Sequence, residues 1–292
     1  MTHTVNTSVR SGFSVVFALL MSACLSLNSV ADTIDYVGPD EGPDGPGGMT
    51  GWAGTDVWYA GVSETNEEGP GGTAAGLFGE PASVSGNTID FDPTFRADAE
   101  GPEAEIVDGQ LNFMVVALGN NVIDNLQFSE AGDTTLAGIN FGGNSISSVT
   151  AKFFIDVIAV DGVSLGVPLN IQAEMDFIPV GATAPPPGST AGGQWSLNDD
   201  GNGFTFATSF SGSLFVDINQ ALTDAGIDFI GGATKLNVAV DNTLTAIAQT
   251  AGYEAFIAKK DFDGLTVTSN VPEPTAVMLV LLGMTGTVLR RR

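Results

Sequence analysis

Histidine and cysteine are almost absent from the 292-residue chain: His3 and Cys24 are the only ones. Both precede Asp32, where the N-terminal segment is expected to be removed. The mature chain then has no Ser-His-Asp or Cys-His nucleophile system, no zinc site built on His or Cys, no haem ligated by either, and no disulfide. An exported domain without disulfides must be held by its core, and about 240 residues suffice for one. Basic residues are scarce as well, nine against 34 acidic ones, for a net charge of −25. All of the acidic residues but Glu273 fall between 32 and 271, where only Arg96, Lys152, Lys235, Lys259 and Lys260 are basic. Such a surface repels nucleic acid and anionic membranes and attracts cations. Long helical periods are nearly missing too, which argues against a helical body.

What remains is a pattern of short Val, Ile, Phe and Thr stretches separated by Gly, Asn and Asp, the mark of an all-β protein. Residues 151–160 and 163–172 flank Asp161-Gly162, a dipeptide suited to a type I′ hairpin. Residues 234–240 and 243–248, separated by Asp241-Asn242, read with 255–258 and 265–268 as consecutive meander strands. One helix is expected at 218–224, capped by Asp217 and ended by Gly226 in the left-handed conformation. The Pro/Gly-rich stretch 181–193 marks either a domain boundary or a long loop of one sandwich. The loop is preferred, because neither strand group alone covers two faces. The expected fold is an antiparallel β-sandwich over 49–268, with jelly-roll connectivity as one form of it. Residues 32–48, rich in Gly, Pro and Asp, are expected to form a loose acidic arm.

Both ends carry targeting features. Arg10 precedes an apolar stretch at 12–27, and Ser29-Val30-Ala31 offers the small residues that a signal peptidase reads, which places cleavage between Ala31 and Asp32. Residues 1–31 therefore read as a signal peptide. Met21-Ser22-Ala23-Cys24 is similar to a weak lipobox, which makes lipidation at Cys24 the alternative.

At the other end, Pro272 and Pro274 keep the chain around Val271 and Glu273 extended. Residues 275–289 follow without a charge, and Arg290, Arg291 and Arg292 close the chain. A helix over 275–289 spans roughly 22 Å at about 1.5 Å per residue, less than the roughly 30 Å of a bilayer core. Snorkelling arginines and local thinning accommodate that mismatch, and the arginines stop the helix on the cytoplasmic side. Residues 269–292, with Pro272-Glu273-Pro274 at their head, resemble the sorting signal of bacterial PEP-CTERM proteins. The resemblance is confined to the tail and implies an exosortase-type membrane enzyme as processing partner.

Within the body, Asn198, Asp200 and Asn202 alternate ahead of Gly203 like the first half of a calcium loop. Ser209 stands where an EF-hand needs a bidentate Glu, which leaves a looser calcium turn or a plain hairpin. Trp52, Trp58 and Tyr59 are candidates for stacking on pyranose rings, with core packing the commoner use of such residues. The even spacing of Trp52 and Trp58 places them on one face if the segment stays extended. Glu64, Glu67 and Glu68, or Asp90 and Asp92, could supply the two carboxylates of a glycosidase, a chemistry that needs no histidine. Three functions are weighed. The first is a non-catalytic exported protein of the cell surface or extracellular matrix, anchored in the membrane by its C-terminus before processing. The others are an adhesion module that binds extracellular polysaccharide or depends on calcium, and a carboxylate-dependent glycoside hydrolase.

Overall fold

Alternation of apolar and polar side chains determines which side of each strand is buried. The computed structural model describes residues 32–39, 50–66, 76–138, 143–179, 192–198, 206–259 and 265–271. Among these residues the first strands are β1 (Asp32–Asp35), β2 (Gly51–Ala53), β3 (Val57–Asn66), β4 (Pro81–Ser85), β5 (Thr88–Phe91), β6 (Arg96–Glu100), β7 (Glu103–Ala117) and β8 (Asn125–Gly138). They are followed by β9 (Asn144–Val160), β10 (Val163–Glu174), β11 (Phe177–Pro179), β12 (Gly193–Asn198), β13 (Phe206–Asp217), the helix α1 (Ile218–Asp224), β14 (Ala233–Ala248), β15 (Tyr253–Lys259) and β16 (Leu265–Asn270).

The strands form two antiparallel sheets packed as a β-sandwich. One sheet runs β1-β3-β7-β14-β9-β10, with β2 on β3 and β12 on β9; the other runs β11-β13-β8-β16-β5-β4, with β15 joining β8 to β6. β14 lies between β7 and β9, and β13 lies beside β8. Strands from before and after 181–193 are therefore interleaved in both sheets.

Local chemistry accounts for several joints. Asp161 and Gly162 have φ of 50° and 76°, the two positive values that a type I′ turn requires, and they join β9 to β10 as expected. α1 begins where Asp217 Oδ1 accepts from Gln220 N at 2.8 Å and ends at Gly226, with φ 69°. Aromatic rings then fill the space between the sheets. Phe128 of β8 meets Phe153 of β9 at 4.4 Å between centroids, and Phe210 packs between Phe177 and Trp195 at 5.6 and 5.1 Å.

Three expectations change. Residues 32–48 are not a loose arm throughout: Asp32–Asp35 is β1, an edge strand in register with Ser63 to Asn66 of β3. Asp241-Asn242 is not a turn but the middle of the unbroken strand β14, where Asn242 faces Gly109 on one side and Ala151 on the other. Finally, β14, β15 and β16 are not a meander. β14 belongs to the first sheet, while β15 and β16 lie end to end along β8 in the second, β15 opposite Gly132 to Gly138 and β16 opposite Asn125 to Glu130.

Candidate functional site

The place where the neighbour of β8 changes from β15 to β16 holds the most unusual chemistry among the described residues. On β8 the inward positions Leu126, Phe128, Glu130, Thr134 and Leu136 are buried. On β14 they are Leu236, Val238, Val240, Asn242, Leu244 and Ala246. On β15 they are Tyr253, Ala255, Ile257 and Lys259. Glu130, Asn242 and Lys259 thus occupy apolar positions of three strands and meet between the sheets. Lys259 Nζ donates to Glu130 Oε2, with both side chains 0% exposed, and Asn242 Nδ2 donates to Glu130 Oε1 at 2.9 Å.

The surroundings are apolar and closely fitted. Lys259 Nζ stands 5.7 Å from the centre of the Phe95 ring, and its backbone N donates to Phe95 O at 3.0 Å. Lys259 pairs with Gly132. A Cβ on that glycine would lie 2.3 Å from Ala258 O and 2.4 Å from the Phe210 ring, so only glycine fits opposite the lysine. Burial pushes the Lys259 amine below the usual lysine range, and the neighbouring Glu130 charge opposes that shift without cancelling it. Asn242 Oδ1 is buried with no hydrogen-bond partner. A shared carboxylate, an amine with weakened hold on its proton and an unpartnered amide oxygen are suited to proton transfer and to acyl chemistry at the amide. A signal for the cluster was present in the sequence: each member is a polar residue at the apolar parity of a strand.

The aromatic candidates separate. Gly54 N donates to Val57 O at 2.8 Å and turns the chain, so that Trp52 pairs with Tyr59 and Ala53 with Trp58. Trp52 and Tyr59 therefore lie in the main core, while Trp58 packs with Ala60 and Val116 on the opposite face; the segment does not stay extended, so the shared face that an extended strand would give Trp52 and Trp58 does not form. They are 6%, 0% and 5% exposed, which leaves no open ring face for a sugar. Tyr59 spans the sandwich instead, donating to Asn87 O at 2.6 Å and lying 3.1 Å from Ser269 Oγ; burial pushes its hydroxyl up to about 12.

Of the carboxylate candidates, Glu64 lies on β3 of the first sheet and Asp90 on β5 of the second. Glu64 is buried and accepts from Leu77 N at 2.8 Å and from Phe78 N at 2.8 Å, with Gly79 N at 3.3 Å, so it ties down the chain at 77–79. Glu67 and Glu68 lie outside the described residues. Asp90 is on β5 opposite Thr266 and Ser83, and Asp92 follows that strand. Asn198 ends β12 opposite Asn144, whereas Asp200 and Asn202 lie outside the described residues. Among the described residues no group of three or more His, Cys, Asp or Glu side chains is arranged to hold a metal. Ala31, Pro272, Glu273, Pro274, Arg290, Arg291 and Arg292 also lie outside the described residues, and Asp32 and Val271 bracket the described body. No helix among the described residues is long and apolar enough to cross a membrane.

Two shallow grooves mark the outer faces. One, of about 490 Å³, runs over the second sheet past Ser129, Ala131, Asp176, Ser211, Ser213 and Thr266. The other, of about 340 Å³, crosses the first sheet past Asn112, Met114, Phe154, Asp156 and Asn237.

No protein-family model matches the chain, and no curated protein does. Among solved structures, the infectious bursal disease virus Gt strain is similar at 10% identity, with 89% of this chain and 69% of that one covered and a TM-score of 0.12. The VP2 subviral particle of infectious bursal disease virus is similar at 13% identity over 92% of this chain and 69% of that one, with a TM-score of 0.10. Likeness at that level carries no argument about function.

Proposed function

We propose that the chain is an exported, non-catalytic protein of the cell surface or extracellular matrix, sorted through Pro272-Glu273-Pro274 by an exosortase-type membrane enzyme. The tail carries this reading: a rigid tripeptide, an uncharged stretch at 275–289 and three terminal arginines in that order. Two further observations support it. β16 is hydrogen-bonded to β8 up to Asn270, and the tripeptide begins two residues further along the chain. The strong acidity favours solubility in a cation-rich exterior. In this reading signal peptidase cleaves after Ala31, the helix at 275–289 holds the protein in the membrane before processing, and residues 32 to about 270 face outward.

Protease added to intact spheroplasts tests the topology. The sandwich should be digested while the C-terminal tail stays protected, and digestion only after lysis would overturn the reading.

A further inference from the structure

We infer that Lys259 and Asn242 become joined by an intramolecular amide, Nζ to Cγ, with loss of ammonia and with Glu130 as the proton carrier. The inference goes beyond sorting and does not rest on it. Its basis is the placement of three complementary groups side by side, each buried from solvent. The two oxygens of a single carboxylate hold the amine of Lys259 on one side and the amide of Asn242 on the other. Lysine, asparagine and glutamate come from three strands in both sheets, so the folded sandwich itself supplies the proximity that makes a sluggish bimolecular reaction intramolecular.

The step balances without an added reagent. Lys259 passes one proton to Glu130, which leaves a neutral amine with a free electron pair. Burial favours release of the proton, because a charged amine is costly to keep from water. A half-turn of the Asn242 amide brings its now unpartnered Oδ1 to the protonated Glu130, which polarises the carbonyl. Nζ attacks Cγ and forms the new C–N bond. Glu130 then gives its proton to Nδ2 and takes one from Nζ, the Cγ–Nδ2 bond breaks, and ammonia leaves. Nothing is oxidised or reduced. The apolar walls formed by Phe95 and Phe210 keep water from competing for the carbonyl.

A covalent tie of this kind suits the chain. Cys24 is the only cysteine, so a disulfide within the chain is excluded, and the amide would provide a cross-link that reducing conditions cannot open.

Peptide mapping of the purified full chain tests the inference and is independent of how its ends are processed. Trypsin with a glutamyl endopeptidase cuts after Lys235, Glu254 and Lys260, which separates Asn242 from Lys259. With the bond formed, fragments 236–254 and 255–260 should appear as one branched species, lighter by one ammonia than their sum, and cleavage after Lys259 should be lost. Glu130→Gln and Asn242→Ala should each return the separate fragments, with cleavage after Lys259 restored. A wild-type protein that melts cooperatively and still yields separate fragments would overturn the inference. So would a lysine linked to the fragment that contains Glu130, with loss of water, or an undiminished branched species in Glu130→Gln.

Discussion

Glu130 and Lys259 are paired between the sheets with neither side chain exposed to solvent. Each therefore depends on the other for compensation of its charge. In the Asn242→Ala background, where no amide can form, Lys259→Met should lower the free energy of unfolding by about 3–5 kcal/mol, because Glu130 is left unpaired. Adding Glu130→Leu should recover most of that loss. Urea denaturation of the three proteins measures it, and a double variant no more stable than the single would count against the unpaired charge as the cause.

The Phe128 and Phe153 rings, 4.4 Å apart, bind the central strands of opposite sheets. Phe153→Ala should cost about 3–5 kcal/mol through lost burial and the cavity left behind. The urea midpoint should fall with little change in slope. A large change in slope would point to altered compactness of the folded or unfolded chain instead.

Asp161 opens the turn after β9 and also organises the approach to β14. Its Oδ2 accepts from Ile230 N at 2.7 Å, and its Oδ1 accepts from Gly231 N at 2.8 Å and Gly232 N at 3.0 Å. These bonds hold its carboxyl below the usual aspartate range. Because the folded value is the lower one, the carboxylate's contribution is present above the unfolded value of about 3.9. It is lost as pH falls through the folded value. The site is open to solvent, so Asp161→Ala should cost up to about 1 kcal/mol at neutral pH. The difference in melting temperature between wild type and variant should shrink on acidification below about pH 4; a constant difference would assign the effect to the turn's positive φ alone.

Replacing Pro272, Glu273 and Pro274 by alanine should leave export intact and block processing, since the tripeptide lies outside both apolar segments. Mass spectrometry and cell fractionation of the product check this. An unchanged mass and location would count against sorting through this signal.

Features governed by neighbours along the chain were legible in advance. Asp161-Gly162 supplies both positive φ values of its turn, and Asp217 and Gly226 bound α1 because cap chemistry acts within a few residues. Asp241-Asn242 looks locally like another turn. It is drawn into β14 because fourteen cross-strand pairs with β7 and an unshifted register with β9 from Leu236 to Ala248 outweigh the local turn preference. Trp52 and Trp58 would share a face only in an extended segment, and the turn at Gly54 reverses the chain between them.

Composition and order alone determined the all-β class, the acidity and the exclusion of a disulfide within the chain, and they alone carry the proposed targeting at both ends, because those depend on which residues are present and on their spacing. The meeting of Glu130, Asn242 and Lys259 could be decided only by tertiary structure. Each is a single polar residue in an apolar alternation, up to 129 positions apart, and the sequence alone does not say which strands will lie opposite one another. Packing β14 over the junction of β15 and β16 along β8 makes them neighbours, and burial from water makes their chemistry unusual.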